Sequence, residues 1–182
     1  LYQLHGLSKM EELEQCFAPG GAMEVFLKAR EQGKVRYIGF SAHSEEVALE
    51  AIKRFSFDSA LFPFNFVTLF KGNFGWELLK EAPKRGVTLL ALKALARTHW
   101  QEGAKRLEKC WYEPITDPKL AEIALRFTLS LPNITAAIPP GDENIFRMAI
   151  PFAERFRKIT QREEQQLRAE AEKLTPIFSR AA

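Results

Sequence analysis

The sequence predicts an α/β protein with a parallel sheet of about five strand–helix units, and three observations lead to this fold class. Short β-branched and aromatic runs alternate with longer segments whose apolar residues recur at helical spacing. The connections between them are short and carry helix-ending glycines or helix-starting Ser and Asp residues. The run over residues 87–92 is nearly continuously apolar, as expected of a strand covered on both faces. Five such strands form either an open sheet or part of a barrel.

The most informative stretch covers residues 33–44, where a helix end, a buried strand and a polar cluster follow one another. Gly33 can adopt the left-handed conformation that ends a helix, and residues 35–40 have the composition of a strand. Ser44, followed by two glutamates, predicts the N-cap of the next helix. Ligands of parallel sheets bind at the carboxyl ends of strands, which makes Ser41 and its neighbours a candidate site.

The other elements follow from the same signals. Asp117 and the proline after it predict a helix N-cap and first turn, and Thr160 with Glu163 predicts a capping box. A loop as long as the segment over residues 93–116 is usually functional, and we expect it at the active face. The first half of the chain is predicted to contain a strand over 1–4, a short helix or loop over 8–17, a helix over 20–32, the strand over 35–40, a helix over 44–54, a strand over 58–62 and an aromatic-rich loop. The second half is predicted to contain a helix over 76–84, a strand over 87–92, the loop over 93–116, a helix over 117–130, a strand over 134–138, a helix over 142–156 and a C-terminal helix over 160–175.

Composition excludes several classes of function. The chain has 182 residues, of which 46% are apolar and 27% charged, as in ordinary globular proteins. Its 26 basic and 23 acidic residues are interspersed, so neither nucleic acid nor an anionic membrane is an expected partner. Cys16 and Cys110 lie far apart without metal-ligand spacing, which predicts structural thiols, no metal site and a reducing, cytoplasmic compartment.

The start of the chain also carries information. The sequence begins at Leu1 inside an apolar run, so the first strand looks cut short, and we expect a fragment or a processed piece. Five strand–helix units are five-eighths of a (β/α)8 barrel, which needs ~250 residues. We therefore expect residues 1–182 to form a single partial-barrel domain.

Landmarks along the chain resemble the aldo-keto reductase family from its fourth barrel strand onward, and they occur in the family's order over nearly the whole sequence. Residues 1–5 resemble the D-L-Y-x-x-H strand, residues 33–44 the G-K-V-R-x-I-G-x-S segment, Phe64-Asn65 the Y-N pair with Phe for Tyr, residues 124–127 the A-L-R-W motif, and residues 134–139 the strand that ends in I-P.

This resemblance implies a TIM-type barrel that reduces small carbonyl compounds with NADP(H), NAD(H) being possible. His5 matches the family's histidine that orients the substrate carbonyl, although on position alone it could merely cap a strand end. The family's proton-donating Tyr and the Lys and Asp that assist it lie on earlier strands that are missing from this chain. The chain alone is therefore expected to be inactive.

The resemblance places the nicotinamide end of the cofactor at strand ends. Ser41 and Asn65 could hydrogen-bond its carboxamide, or could make only local turn bonds. Leu92 matches the aromatic residue that stacks on the nicotinamide. Ala42 stands where much of the family has Asn, and Leu61 where a Gln is expected, so part of the family's set of contacts is missing.

The phosphate end is assigned to charged residues. Lys93, where many members have Ser, could pair with a phosphate or a substrate acid, or could simply be solvated. Gly141 precedes a helix start, which can bind an anion. Asp142 and Glu143 follow where the family usually has Ser, Lys or Arg, and they would repel a 2′-phosphate, whereas Arg147 could grip one. NADPH and NADH both remain open.

Two alternatives to an oxidoreductase stay open at this point. One is a non-catalytic nucleotide-binding or regulatory pseudoenzyme, and the other is a structural partial barrel. The bare edges of such a barrel predict pairing with a second copy or with a complementing N-terminal half-barrel. Five phenylalanines between residues 62 and 74 could line a pocket, although we expect them in the core or in a subunit contact.

Overall fold

A computed structural model describes residues 1–180 and confirms the predicted α/β class with a five-stranded parallel sheet. The predicted domain of residues 1–182 also includes Ala181 and Ala182, which lie outside the described residues. The strands are β1 (Tyr2–Leu7), β2 (Ile38–Ala42), β3 (Ser59–Pro63), β4 (Thr88–Leu92), β5 (Ala96–Thr98), β6 (Glu113–Pro114) and β7 (Ile134–Ala137). The helices are α1 (Met10–Phe17), α2 (Ala22–Glu31), α3 (Glu45–Arg54), α4 (Phe66–Phe70), α5 (Trp76–Glu81), α6 (Pro118–Ser130), α7 (Glu143–Glu154) and α8 (Gln161–Ala171), with a 3-10 turn at Pro83–Arg85.

The strands are hydrogen-bonded in the order β1-β2-β3-β4-β7, and β5 and β6 form a separate antiparallel pair. The chain divides into two compact units. Unit 1 comprises Leu1–Phe62 and Glu77–Leu90, and unit 2 comprises Pro63–Trp76 and Ala91–Ala182. No helix in the part of the chain that the structure describes is long and apolar enough to cross a membrane.

In unit 1, β2 is the buried strand between two parallel neighbours. Its register pairs Phe40 with Leu4 of β1 and with Ala60 of β3. Gly39 permits the close approach of β3, because a Cβ there would lie 2.9 Å from the backbone oxygen of Ser59. All five residues of β2 are buried, which makes it the centre of the packing in this unit.

The boundaries predicted for this strand were wrong at both ends. The prediction covered residues 35–40, whereas β2 starts three residues later and includes Ser41 and Ala42. Arg36 and Tyr37 have a strand-like composition but are exposed, so the buried run begins only at Ile38. The predicted N-cap is confirmed, because the hydroxyl of Ser44 accepts a hydrogen bond from the backbone of α3.

In unit 2, α6 packs against α7, α8 and β7. The predicted caps of its helices are confirmed: the Asp117 carboxylate accepts the Leu120 N–H at 2.8 Å, and Thr160 and Glu163 form the capping box of α8. The predicted loop over residues 93–116 contains the β5–β6 pair.

The aromatic-rich loop predicted after β3 is wrong in part, because Phe66–Phe70 is the helix α4. Asn65 caps this helix together with Thr68. The prediction did not use this polar pair, because the phenylalanines around it are the more prominent feature of the segment. Core packing of the phenylalanines is confirmed for Phe62, Phe64, Phe66 and Phe74, which are buried.

Candidate functional site

His5 lies in the second half of β1 and is exposed. The parallel register of β1 with β2 is interrupted between Leu4 and Leu7, where Gly6 takes a left-handed φ of 69°. His5 borders a cavity of about 320 Å³ whose other walls include Glu12 of α1 and the Cys16 thiol. The cavity is large enough for a small organic molecule, and the exposed His5 is among the residues that line it.

Ser41 is buried, with 5% of its surface exposed, and its hydroxyl points back at β1. The Gly6 N–H donates a hydrogen bond to its Oγ at 2.7 Å, and the His43 N–H donates to the Leu7 carbonyl at 2.9 Å. Ser41 thus fixes the strand end that carries His5. The structure brings these two predicted residues together through the backbone of Gly6.

Asn65 is completely buried. Its Oδ1 accepts the backbone N–H groups of Val67 at 3.0 Å and Thr68 at 2.9 Å, and its Nδ2 donates to the Lys93 carbonyl at 3.2 Å. In unit 2 the amide therefore joins the start of α4 to the end of β4. These bonds engage both ends of the amide in the fold, and burial keeps it away from a nicotinamide carboxamide.

Leu92 is the last residue of β4, and Lys93 follows it beside that amide. The Leu92 carbonyl accepts the Phe64 N–H at 3.1 Å. Lys93 has a left-handed φ of 61°, and its Nζ lies 5.8 Å from the ring centroid of Trp111 and 5.8 Å from that of Phe178. Burial lowers the pKa of this amine to about 8. Trp111 and Phe178 were not among the predicted site residues, because no local pattern links such distant positions.

Gly141 and Arg147 flank the start of α7. A Cβ at Gly141 would lie 2.7 Å from the Lys109 carbonyl, so the chain passes close by. The Asp142 carboxylate accepts the N–H groups of Asn144 and Ile145 at 3.0 Å each, and Glu143 forms an ion pair with Lys109. Arg147 is exposed.

This helix start fits a 2′-phosphate poorly. Two of the N–H groups that would bind an anion already hold the Asp142 carboxylate, and Glu143 adds a second negative charge. The hydrogen bond and the charge of Lys109 lower the pKa of Glu143, so Glu143 remains ionised. Within residues 1–180, no group of three or more His, Cys, Asp or Glu side chains could hold a metal ion.

Solved structures of aldo-keto reductases have the fold of this chain. The holo form of the aldo-keto reductase from Bacillus halodurans is 21% identical, with a TM-score of 0.64 over 98% of this chain and 59% of that chain. A thermostable aldo-keto reductase in complex with the inhibitor epalrestat is 22% identical, with a TM-score of 0.60 over 93% of this chain and 60% of that chain. The glycerol dehydrogenase from Gluconobacter oxydans is 15% identical, with a TM-score of 0.59 over 99% of this chain and 61% of that chain.

These matches confirm the predicted resemblance at the level of the fold. No family model matches the sequence, and no curated protein matches it significantly. The chain spans about three-fifths of the length of the similar structures.

Proposed function

We propose that this chain is part of a nicotinamide-dependent oxidoreductase that reduces aldehyde or ketone carbonyls. The observation that carries the proposal is the likeness to aldo-keto reductases over 93–99% of the chain. The chain spans only about three-fifths of those structures, so the complete reaction is proposed for a longer assembly. Alone, the chain is expected to show no carbonyl reduction.

His5 is the residue that would contact the substrate. Its exposed imidazole, beside a cavity of about 320 Å³, can donate a hydrogen bond to a carbonyl oxygen on which negative charge develops. The bond from Gly6 to Ser41 supports this geometry because it restrains the backbone next to His5. Ser41 is thus proposed as a positioning residue.

The cofactor proposed for this assembly is NADH rather than NADPH. The acidic start of α7 would repel the extra phosphate of NADPH, which NADH lacks. Among the residues that the resemblance assigns to the cofactor, Lys93 and the exposed Arg147 are the basic ones. We therefore expect weak binding by this chain and derive no hydride-transfer step from it.

A structural role is the second candidate, and an apolar groove in unit 2 favours it. A cavity of about 270 Å³ between α6, α7 and the end of β7 is lined almost entirely by apolar side chains. Ile138, Phe146 and Ile150 line it and are 38–43% exposed. Such a surface beside the last strand in the order of the sheet is suited to a partner that adds a strand and a helix.

A titration with NADH and NADPH, followed by tryptophan fluorescence, separates the two candidates. We expect weak saturable quenching by NADH, with NADPH binding about tenfold more weakly, a difference of roughly 1.4 kcal/mol. Glu143→Lys should strengthen NADPH binding and leave NADH binding nearly unchanged. Glu154→Lys, with the same change of charge at the other end of α7, is the matched control.

Saturable NADH binding that Arg147→Ala weakens would support the oxidoreductase. If neither nucleotide binds the chain or any of these variants, the oxidoreductase proposal fails for this chain. The structural role then remains, and sedimentation should show an assembly of more than one chain. A strictly monomeric chain that binds neither nucleotide would contradict both candidates.

A further inference from the structure

The amine of Lys93 lies against two aromatic rings in unit 2. Its Nζ is 5.8 Å from the centroids of both Trp111 and Phe178, and these rings meet edge to face at 5.9 Å and 78°. Phe178 in turn stacks on Phe74 at 5.7 Å. We call the rings of Trp111 and Phe178 the Lys93 ring pair. Trp111 is 55% exposed, so the ring pair is open to solvent on one side.

The backbone of Lys93 is held in an unusual conformation. Its φ of 61° is left-handed, and its carbonyl accepts hydrogen bonds from the Ala96 N–H at 2.9 Å and from Asn65 Nδ2 at 3.2 Å. The other non-glycine residues with positive φ in the described part of the chain are both asparagines, which tolerate this region better than lysine does. A glycine or an asparagine would fit this turn with less strain, so we look for a role of the Lys93 side chain at this position.

The surroundings favour the neutral, nucleophilic form of this amine. Burial lowers the pKa of Lys93 from 10.5 to about 8. The ring faces attract the charged form, whereas the loss of hydration on burial disfavours it. At pH 7, below both values, the neutral fraction is then on the order of a hundredfold larger than that of an ordinary lysine.

We propose that Lys93 is a carbonyl-capturing site whose amine forms an imine with aldehydes, the ring pair favouring an aromatic or conjugated one. The nitrogen lone pair adds to the carbonyl carbon, and a proton moves from nitrogen to oxygen to give a carbinolamine. Loss of water then leaves the C=N bond. The step involves no oxidation or reduction and no nucleotide, so it does not rest on the proposed oxidoreductase function.

Reductive trapping tests the site on the intact chain without nucleotide. The protein is incubated with benzaldehyde and cyanoborohydride at pH 7, and benzylation of each lysine is followed by peptide mass spectrometry. We expect Lys93 to be labelled at least about tenfold faster than exposed lysines such as Lys34 and Lys80. Cyanoborohydride reduces the protonated imine and therefore slows at high pH for every lysine, so the readout is the ratio of Lys93 to Lys34 labelling. This ratio should fall as the pH rises above about 8, the pKa of Lys93.

Two variants separate capture at the ring pair from general lysine chemistry. Trp111→Leu should slow labelling of Lys93 at pH 7 by roughly tenfold for each pKa unit that the amine regains. Phe156→Leu, which changes an aromatic residue 43% exposed, should leave the rate unchanged. Labelling of Lys93 no faster than that of Lys34, or equally fast in Trp111→Leu, would overturn the proposal. Because no nucleotide is present in this assay, either result is obtained independently of the fluorescence titration with NADH and NADPH.

Discussion

Glu163→Gln should destabilise unit 2 because it leaves a buried guanidinium without its counter-charge. The Arg126 side chain is 1% exposed, and its Nη1 and Nη2 donate to the two carboxylate oxygens of Glu163 at 2.8 and 2.7 Å. Two backbone carbonyls, those of Arg157 and Lys158, complete the surroundings of the guanidinium at 3.0 and 3.2 Å. In the variant only these carbonyls and the neutral amide oxygen remain.

The magnitude follows from the burial of the pair. Removing one partner of a buried ion pair costs about 3–5 kcal/mol. Glu163 is itself 16% exposed and glutamine keeps one acceptor, so we expect a loss of about 3 kcal/mol in the free energy of unfolding. For a chain of this size that corresponds to a fall in Tm of roughly 6–12 °C.

Urea unfolding followed by tryptophan fluorescence measures this loss. The three tryptophans, Trp76, Trp100 and Trp111, all belong to unit 2, so the signal reports on the unit that contains the pair. Glu164→Gln is the matched control. Glu164 pairs with Arg168 at 2.7 Å, but these side chains are 38% and 54% exposed, and we expect a loss of about 0.5 kcal/mol or less.

The pH dependence gives a second check. The hydrogen bond from Arg126, as the leading cause, lowers the pKa of Glu163 below its ordinary value of 4.5. A lowered pKa means that the stabilisation is fully present above that value and is lost as the pH falls through the pKa of the folded state. The difference between wild type and Glu163→Gln should therefore shrink below about pH 4.5. Equal losses in Glu163→Gln and Glu164→Gln at pH 7 would refute the reasoning.

Two further substitutions test side chains that hold helix starts. Asn65→Ala removes the cap of α4 and the bond to the Lys93 carbonyl, and we expect urea unfolding to show a loss of about 2–3 kcal/mol; Asn65→Ser, which keeps a side-chain oxygen for the cap without burying a charge, should lose less. Glu45→Ala removes the acceptor of the Glu77 and Leu78 N–H groups at 2.9 and 3.2 Å, so these two amides should exchange hydrogen faster and stability should fall by about 1–2 kcal/mol. The exposed neighbour Glu46 supplies the control, because Glu46→Ala should change neither reading.

Local signals account for the parts of the fold that the sequence predicts. Ser44, Asp117 and Thr160 cap helices that begin at the next residue, so each cap and its acceptor groups lie within a few positions of one another. The alternation of strands and helices rests on the spacing of apolar residues in the same way. The same signals do not locate the ends of strands, because Arg36 and Tyr37 lie inside the strand predicted over residues 35–40 but precede β2 in the structure.

Partners that are distant in the chain explain what the sequence does not predict. The sequence predicts Glu45 only as an acidic residue in the first turn of α3. In the structure it is buried and accepts the backbone N–H groups of Glu77 and Leu78 in the first turn of α5. Arg126 and Glu163 belong to separate predicted helices, and nothing in either segment indicates that they meet. The ring pair around Lys93 likewise comes from positions far apart in the sequence.

Hydrogen bonding within the fold separates the candidate residues into two groups. Ser41 accepts a bond from the β1 backbone, Asn65 joins α4 to the end of β4, and Asp142 caps α7. A ligand that competes for the atoms already bonded to the backbone would have to displace those bonds, which costs about 1–3 kcal/mol for each group left unsatisfied. Sequence position alone does not show this difference, because the same residue types suit both tasks. Chemistry is therefore expected first at the exposed imidazole of His5 and at the amine of Lys93.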